Sequence, residues 1–182
     1  VDIAVTPILD ATTATDATLS VNLATGYYLV GSPDSVEVVI ENLETPAGKN
    51  VWVASAAGNA SDAANWSQGV PQAGDDILLD LFSTADMTWD LDATNGLSAS
   101  VASWTQTSNY TGTVSFPINY THVAGAIFTN FTVTGNVSVE GGTWTHPANA
   151  STEDYRLFVT VGGNLTVASG ASITATGKGY YN

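Results

Sequence analysis

No cysteine occurs in the 182 residues. That excludes disulfide scaffolds, thiol catalysis and Cys-ligated zinc or iron–sulfur centres. Only two histidines are present, His122 and His146, too few for a multi-histidine metal site. Positive charge is almost as scarce: Lys49, Arg156 and Lys178 stand against seventeen carboxylates, for a net charge of -14. Nucleic-acid binding needs clustered Lys and Arg to displace counterions, so that class is excluded, and anionic membrane surfaces are disfavoured for the same reason. No apolar run reaches the roughly 18 residues of a membrane span, so no membrane insertion is expected. Charged residues of both signs make up 11 % of the chain, under half the usual share. A chain that starts at Val1 without Met reads as a processed product or a piece of a longer protein.

Hydroxyls take the place of charge. Ser and Thr fill 41 of 182 positions, while 44 % of residues are apolar, enough for a packed core. Thr is β-branched and suits the outer face of a strand. The apolar residues alternate, as in Ser35-Val-Glu-Val-Val-Ile-Glu41, Phe131-Thr-Val-Thr134 and Asn164-Leu-Thr-Val167, between turns such as Gly31-Ser-Pro33, Gly141-Gly142 and Gly162-Gly163. The chain is expected to be all-β, in an extracellular or cell-surface setting.

A boundary is expected near Thr45–Asn50, dividing an N-terminal β segment (1–50) from a body (51–182). Thr132-Val-Thr-Gly-Asn-Val-Ser-Val139 aligns with Thr160-Val-Gly-Gly-Asn-Leu-Thr-Val167 at an offset of 28. Strands this short cannot bury a core alone, so the repeat predicts a β-solenoid of about five units; a β-sandwich-like body of unrelated hairpins is the alternative. Asn65-Trp-Ser-Gln-Gly-Val-Pro-Gln-Ala-Gly-Asp-Asp-Ile77 resembles the opening of secreted bacterial β-helix proteins of the autotransporter-passenger type. Gly163-Asn-Leu-Thr-Val-Ala-Ser-Gly-Ala-Ser-Ile-Thr-Ala-Thr-Gly-Lys-Gly179 is similar to their later rungs. The resemblance covers about 52–179, implies a short right-handed parallel β-helix at a cell surface, and carries over no catalytic residue.

Three groups of residues carry functional expectations. Eight Asn-x-Ser/Thr triplets, at Asn59, Asn65, Asn109, Asn119, Asn130, Asn136, Asn149 and Asn164, all lie in the body. Composition alone (13 × 41/182) gives about three among the thirteen asparagines. They are N-glycan acceptors if the chain meets the transferase; asparagine's fitness for turns is the competing explanation. Asp75, Asp76, Asp90 and Asp92 belong to a run of six aspartates within eighteen residues, without a cation. Such oxygen ligands make calcium the one candidate metal, against solvated turn residues. At the N-terminus Val1, Ile3 and Val5 alternate, with Ile8 beyond Pro7. This strand is suited either to extending a neighbour's sheet or to folding back on its own chain.

An enzyme is disfavoured. The paired aspartates match glycoside-cleaving carboxylates only in residue type, and three scattered cations leave nothing to hold an acidic sugar. The five tryptophans read as core before sugar-stacking surface. The reading that follows is a non-enzymatic subunit of an extracellular, N-glycosylated, pilus-like filament or surface layer, a homopolymer joined head to tail through its N-terminal strand. The alternative is a monomeric β-helix fragment of an adhesin or carbohydrate-binding protein.

Overall fold

The computed structural model describes residues 17–22, 35–40, 44–91, 98–117 and 131–180. The chain divides into two compact units, Val1–Thr45 and Pro46–Asn182. The first contains an antiparallel pair, β1 (Ala17–Asn22) and β2 (Ser35–Ile40), in which Ala17 faces Ile40 and Asn22 faces Ser35. The N-terminal strand expected to carry Val1, Ile3, Val5 and Ile8 lies outside the described residues.

The second unit is a parallel β-solenoid of about four turns, built from strands of two to four residues. One sheet stacks β3 (Asn50–Val51), β5 (Asp76–Leu79), β8 (Ser103–Gln106), β11 (Val137–Val139) and β14 (Leu165–Val167). A second stacks β4 (Gly58–Asn59), β6 (Met87–Thr88), β9 (Thr113–Ser115), β12 (Thr143–Thr145) and β15 (Ser172–Ile173). A third, confined to the later turns, stacks β7 (Ser100–Val101), β10 (Phe131–Val133) and β13 (Val159–Val161). Asn50 pairs with Ile77, Ile77 with Trp104, Trp104 with Val137 and Val137 with Leu165, so successive turns take 27, 27, 33 and 28 residues. The offset of 28 in the sequence repeat is this stacking: Thr132 pairs with Thr160 and Val139 with Val167.

Alternation along each short strand sends every second side chain inward, and parallel register places like positions above one another. The inner columns are Ile77–Trp104–Val137, Met87–Val114–Trp144 and Val101–Val133, all essentially without solvent contact. Outward positions between them carry hydroxyls, as in Ser100–Thr132 and Thr113–Thr143. All five tryptophans are buried. Trp104 is the hub of a ring cluster, with centroids 5.1 Å from Trp89, 5.4 Å from Trp144, 5.6 Å from Phe131 and 6.5 Å from Phe116. Edge-to-face pairs of this kind contribute about 0.5–1.5 kcal/mol each beyond their buried area. The Trp89 indole N–H is buried without a hydrogen-bond acceptor; the rings around it offer only the weak acceptance of their π faces.

One polar side chain sits at the centre. Gln106 is fully buried; its amide donates to the Gly141 carbonyl, and its oxygen accepts the Trp144 indole N–H at 2.9 Å and, more weakly, that of Trp104 at 3.4 Å. The corners need glycine where turns approach closely. A methyl group at Gly162 would lie 2.2 Å from the Thr134 carbonyl oxygen, and one at Gly163 2.3 Å from Asn136 Oδ1. Replacing Gln106 with Ala leaves the Trp144 N–H and the Gly141 carbonyl unpaired around a cavity. The expected loss is about 3–4 kcal/mol, read as a lower urea midpoint at unchanged slope.

Candidate functional site

The two ends of the solenoid are built differently. At the first turn the chain doubles back: Trp66 pairs antiparallel with Trp52, Val53 N–H donates to the Asn65 carbonyl at 2.9 Å, and Ser67 N–H donates to the Val51 carbonyl at 2.9 Å. Trp66 covers the Trp52 ring at 5.1 Å. The buried Asn50 side chain ties the crossing segment down, donating to the Gly69 carbonyl (2.8 Å) and Asp75 Oδ2 (3.0 Å) and accepting from Gln68 N–H (3.1 Å). A strand of reversed direction ends a parallel stack and covers its edge, so this end is closed.

The last turn has no such cover among the described residues. β14 and β15 end their sheets. Leu165, Val167 and Ile173 continue the inner columns of Val137, Val139 and Trp144, yet stand 50 %, 43 % and 38 % exposed where the residues they stack on are at most 1 % exposed. Covering these three would contribute roughly 1 kcal/mol apiece at half their full burial value. This open apolar face, rimmed by strand edges, is the candidate functional site. In sequence Leu165 and Val167 are indistinguishable from Val137 and Val139; only the lack of a further turn over them among the described residues sets them apart.

No protein-family model, no curated protein and no solved structure matches this chain. The autotransporter-passenger resemblance therefore extends to a parallel β-helix and no further.

The aspartates of the early turns fasten one turn to the next. Asp75 accepts from Asn50 and from Gln72 N–H (3.0 Å); Asp76 accepts from the Ser103 hydroxyl and pairs with Lys49 Nζ at 3.3 Å. Asp80 accepts from Thr107 Oγ1 (2.6 Å) and Asn109 Nδ2 (2.8 Å), Asp86 from Thr113 N–H (2.7 Å), and Asp90 from the N–H (2.9 Å) and hydroxyl (2.6 Å) of Ser61. Among the described residues no three His, Asp or Glu side chains converge; Asp92 lies outside them. The hydrogen bond from Ser103, with Lys49 adding to it, holds the Asp76 carboxyl below its ordinary value. Burial pushes Asp80 upward, but bonds from Thr107, Asn109 and Leu81 N–H together outweigh it and leave the group lowered.

The six described triplets differ in what their amides do. Asn149 is consumed, donating to the Tyr155 and Lys178 carbonyls (both 2.9 Å) and accepting from the N–H groups of Asp154 and Tyr155. The amides of Asn65 and Asn109 donate to the Asn59 carbonyl (3.0 Å) and Asp80 (2.8 Å). Asn136 uses only its oxygen, accepting Asn164 N–H at 2.9 Å. Asn59, Asn136 and Asn164 are exposed with amide nitrogens that donate to nothing described. Asn119 and Asn130, like His122, lie outside the described residues.

Two measurements separate fasteners from metal ligands. With Asp75, Asp76, Asp80, Asp86 and Asp90 all partnered inside the chain, a chelator is expected to leave the melting temperature unchanged; a drop would assign a cation to 75–92. The unfolded chain protonates Asp76 and Asp80 before the folded one does. Their stabilisation is therefore whole above the ordinary value of 3.8 and is lost as pH falls through the lowered folded values. Asp76→Asn with Asp80→Asn should flatten the acid limb of a melting-temperature profile, and an unaltered limb would contradict this.

Proposed function

We propose that this chain is a non-enzymatic structural subunit of an extracellular, N-glycosylated filament or surface layer whose copies join end on. The observation that carries the reading is the asymmetry of the solenoid: one end closed by its own antiparallel segment, the other with Leu165, Val167 and Ile173 uncovered among the described residues. A contact made by one end only joins unlike surfaces, and unlike surfaces that do not close into a ring generate fibres. The exposed edges of β14 and β15 suit strand addition, where backbone bonds hold the incoming segment and alternate side chains fill apolar positions. Val1, Ile3 and Val5 of a second copy supply such alternation, with Ile8 beyond Pro7. The concentration of Asn-x-Ser/Thr triplets in the body supports the glycosylated surface setting, as does a coat polar through hydroxyls. No catalytic group is assigned: Asp75, Asp76, Asp80, Asp86 and Asp90 are occupied as fasteners, and Lys49 and Arg156 are paired with Asp76 and Glu153.

Copies each carrying -14 repel at long range, so assembly should strengthen as salt rises. Electron microscopy and sedimentation are expected to show polymers for the native chain. Leu165→Asp with Val167→Asp should leave folded single copies by circular dichroism and sedimentation, and so should deletion of residues 1–9. Polymers undiminished in the double variant would overturn the open end as the joint. Polymers undiminished in the deletion would overturn the N-terminal strand as its occupant, and a native chain that stays monomeric at every salt concentration overturns the filament reading.

A further inference from the structure

An open groove of about 340 Å³ runs along the outer surface of β4, β6 and β9, with Asn59, Asp86, Thr88, Thr113 and Ser115 on its walls. Its geometry follows from register. Asn59, Thr88 and Ser115 are successive members of one outward column, spaced by about 4.8 Å per turn. Asp86 and Thr113 stand beside them, two residues back along β6 and β9. Beside Ala57, Gly58 and the buried Met87, the lining is hydroxyl, amide and one carboxylate, with no cation, a set that pairs with a neutral polyhydroxylated ligand and repels an anionic one. Asp86 is exposed, and among the described residues its carboxylate accepts only from Thr113 N–H, so most of its acceptor capacity faces the groove. Lining this groove stands Asn59, first residue of Asn59-Ala60-Ser61, whose amide nitrogen donates to nothing among the described residues.

We infer that Asn59 carries an N-linked glycan whose first sugars lie in this groove, over Thr88 and Ser115 and against Asp86. The inference rests on the glycosylated reading above and names the site where the fold is built for the modification. In the transfer, Asn59 Nδ2 forms a bond to the anomeric carbon of a polyprenyl-phosphate-linked oligosaccharide. The carbon–oxygen bond to phosphate breaks, the lipid phosphate leaves with that electron pair, and the amide gives up one proton. Ser61, the hydroxyl residue of the triplet, is held by Asp90 of the following turn in the folded chain. Transfer therefore precedes the stacking of the second turn on the first, and the groove, whose polar walls Asp86, Thr88, Thr113 and Ser115 come from the second and third turns, closes around a sugar already attached. A sugar on Asn149 would remove one of the two amide protons that hold the Tyr155 and Lys178 carbonyls, so the chains that complete the fold are those bare at Asn149.

Glycopeptide mass spectrometry of native material should find Asn59 occupied and Asn149 unmodified. Asn59→Gln should lower the melting temperature of the glycosylated protein by about 2–4 °C and leave unglycosylated recombinant protein unchanged, which separates sugar contacts from side-chain effects. In a Thr88→Val, Ser115→Ala background occupancy should persist while the difference made by Asn59→Gln disappears. A bare Asn59 with Asn136 or Asn164 occupied overturns this inference and leaves the glycoprotein reading standing; no occupied triplet overturns both. An occupied Asn59 whose loss shifts melting equally with and without the two hydroxyls overturns the groove as its seat.

Discussion

The solenoid depends on one constraint, the in-register stacking of parallel strands a single strand spacing apart. Strands of two to four residues bury nothing by themselves. Their side chains become a core only because Ile77, Trp104 and Val137 lie over one another, as do Met87, Val114 and Trp144. Register makes the ring cluster around Trp104 possible and lets Gln106 reach across to Trp144. It also makes the corners at Gly162 and Gly163 intolerant of a side chain, since the preceding turn occupies that space.

The same constraint gives the acidic segment its meaning. Like charges crowded along a chain repel, but the winding carries each aspartate's partner to it from an adjacent turn, 27 or 29 residues away for Asp76, Asp80, Asp86 and Asp90. The partners are chiefly hydroxyls and backbone N–H groups, so the cross-links survive with only two ion pairs among the described residues. A chain with three cations is held together by neutral donors to carboxylates, bonds stronger than those between two neutral groups.

The fold was legible where neighbouring turns resemble one another. Thr132–Val139 and Thr160–Val167 repeat because both turn the same Gly-Asn corner and fill the same columns with aliphatics. The earlier turns kept no such likeness, since an inward position constrains volume and not identity; one column runs Asn50, Ile77, Trp104, Val137, Leu165. The aspartate cluster was visible, but its purpose was not. Ser61, Ser103 and Thr107 are ordinary hydroxyl residues until the turn length is known, after which the interval of 27 from Asp76 to Ser103 and from Asp80 to Thr107 points to them. The triplets could be counted but not ranked, because whether an asparagine amide is free depends on carbonyls such as those of Tyr155 and Lys178.

The antiparallel closure at Trp52 and Trp66 gives the solenoid a direction in which its length can change. Whole turns can be gained or lost beyond β15 at about 4.8 Å of axis each, and the sequence upstream need not alter, since each turn meets only its neighbours. Loss of the same number of residues from the closed end removes the Asn50 tie and bares the Trp89–Trp104 rings at once. Duplication and trimming of turns are thus tolerated on the β15 side of the solenoid and penalised on the β3 side. Related chains should differ in reach chiefly after the last strand, around a shared aromatic head.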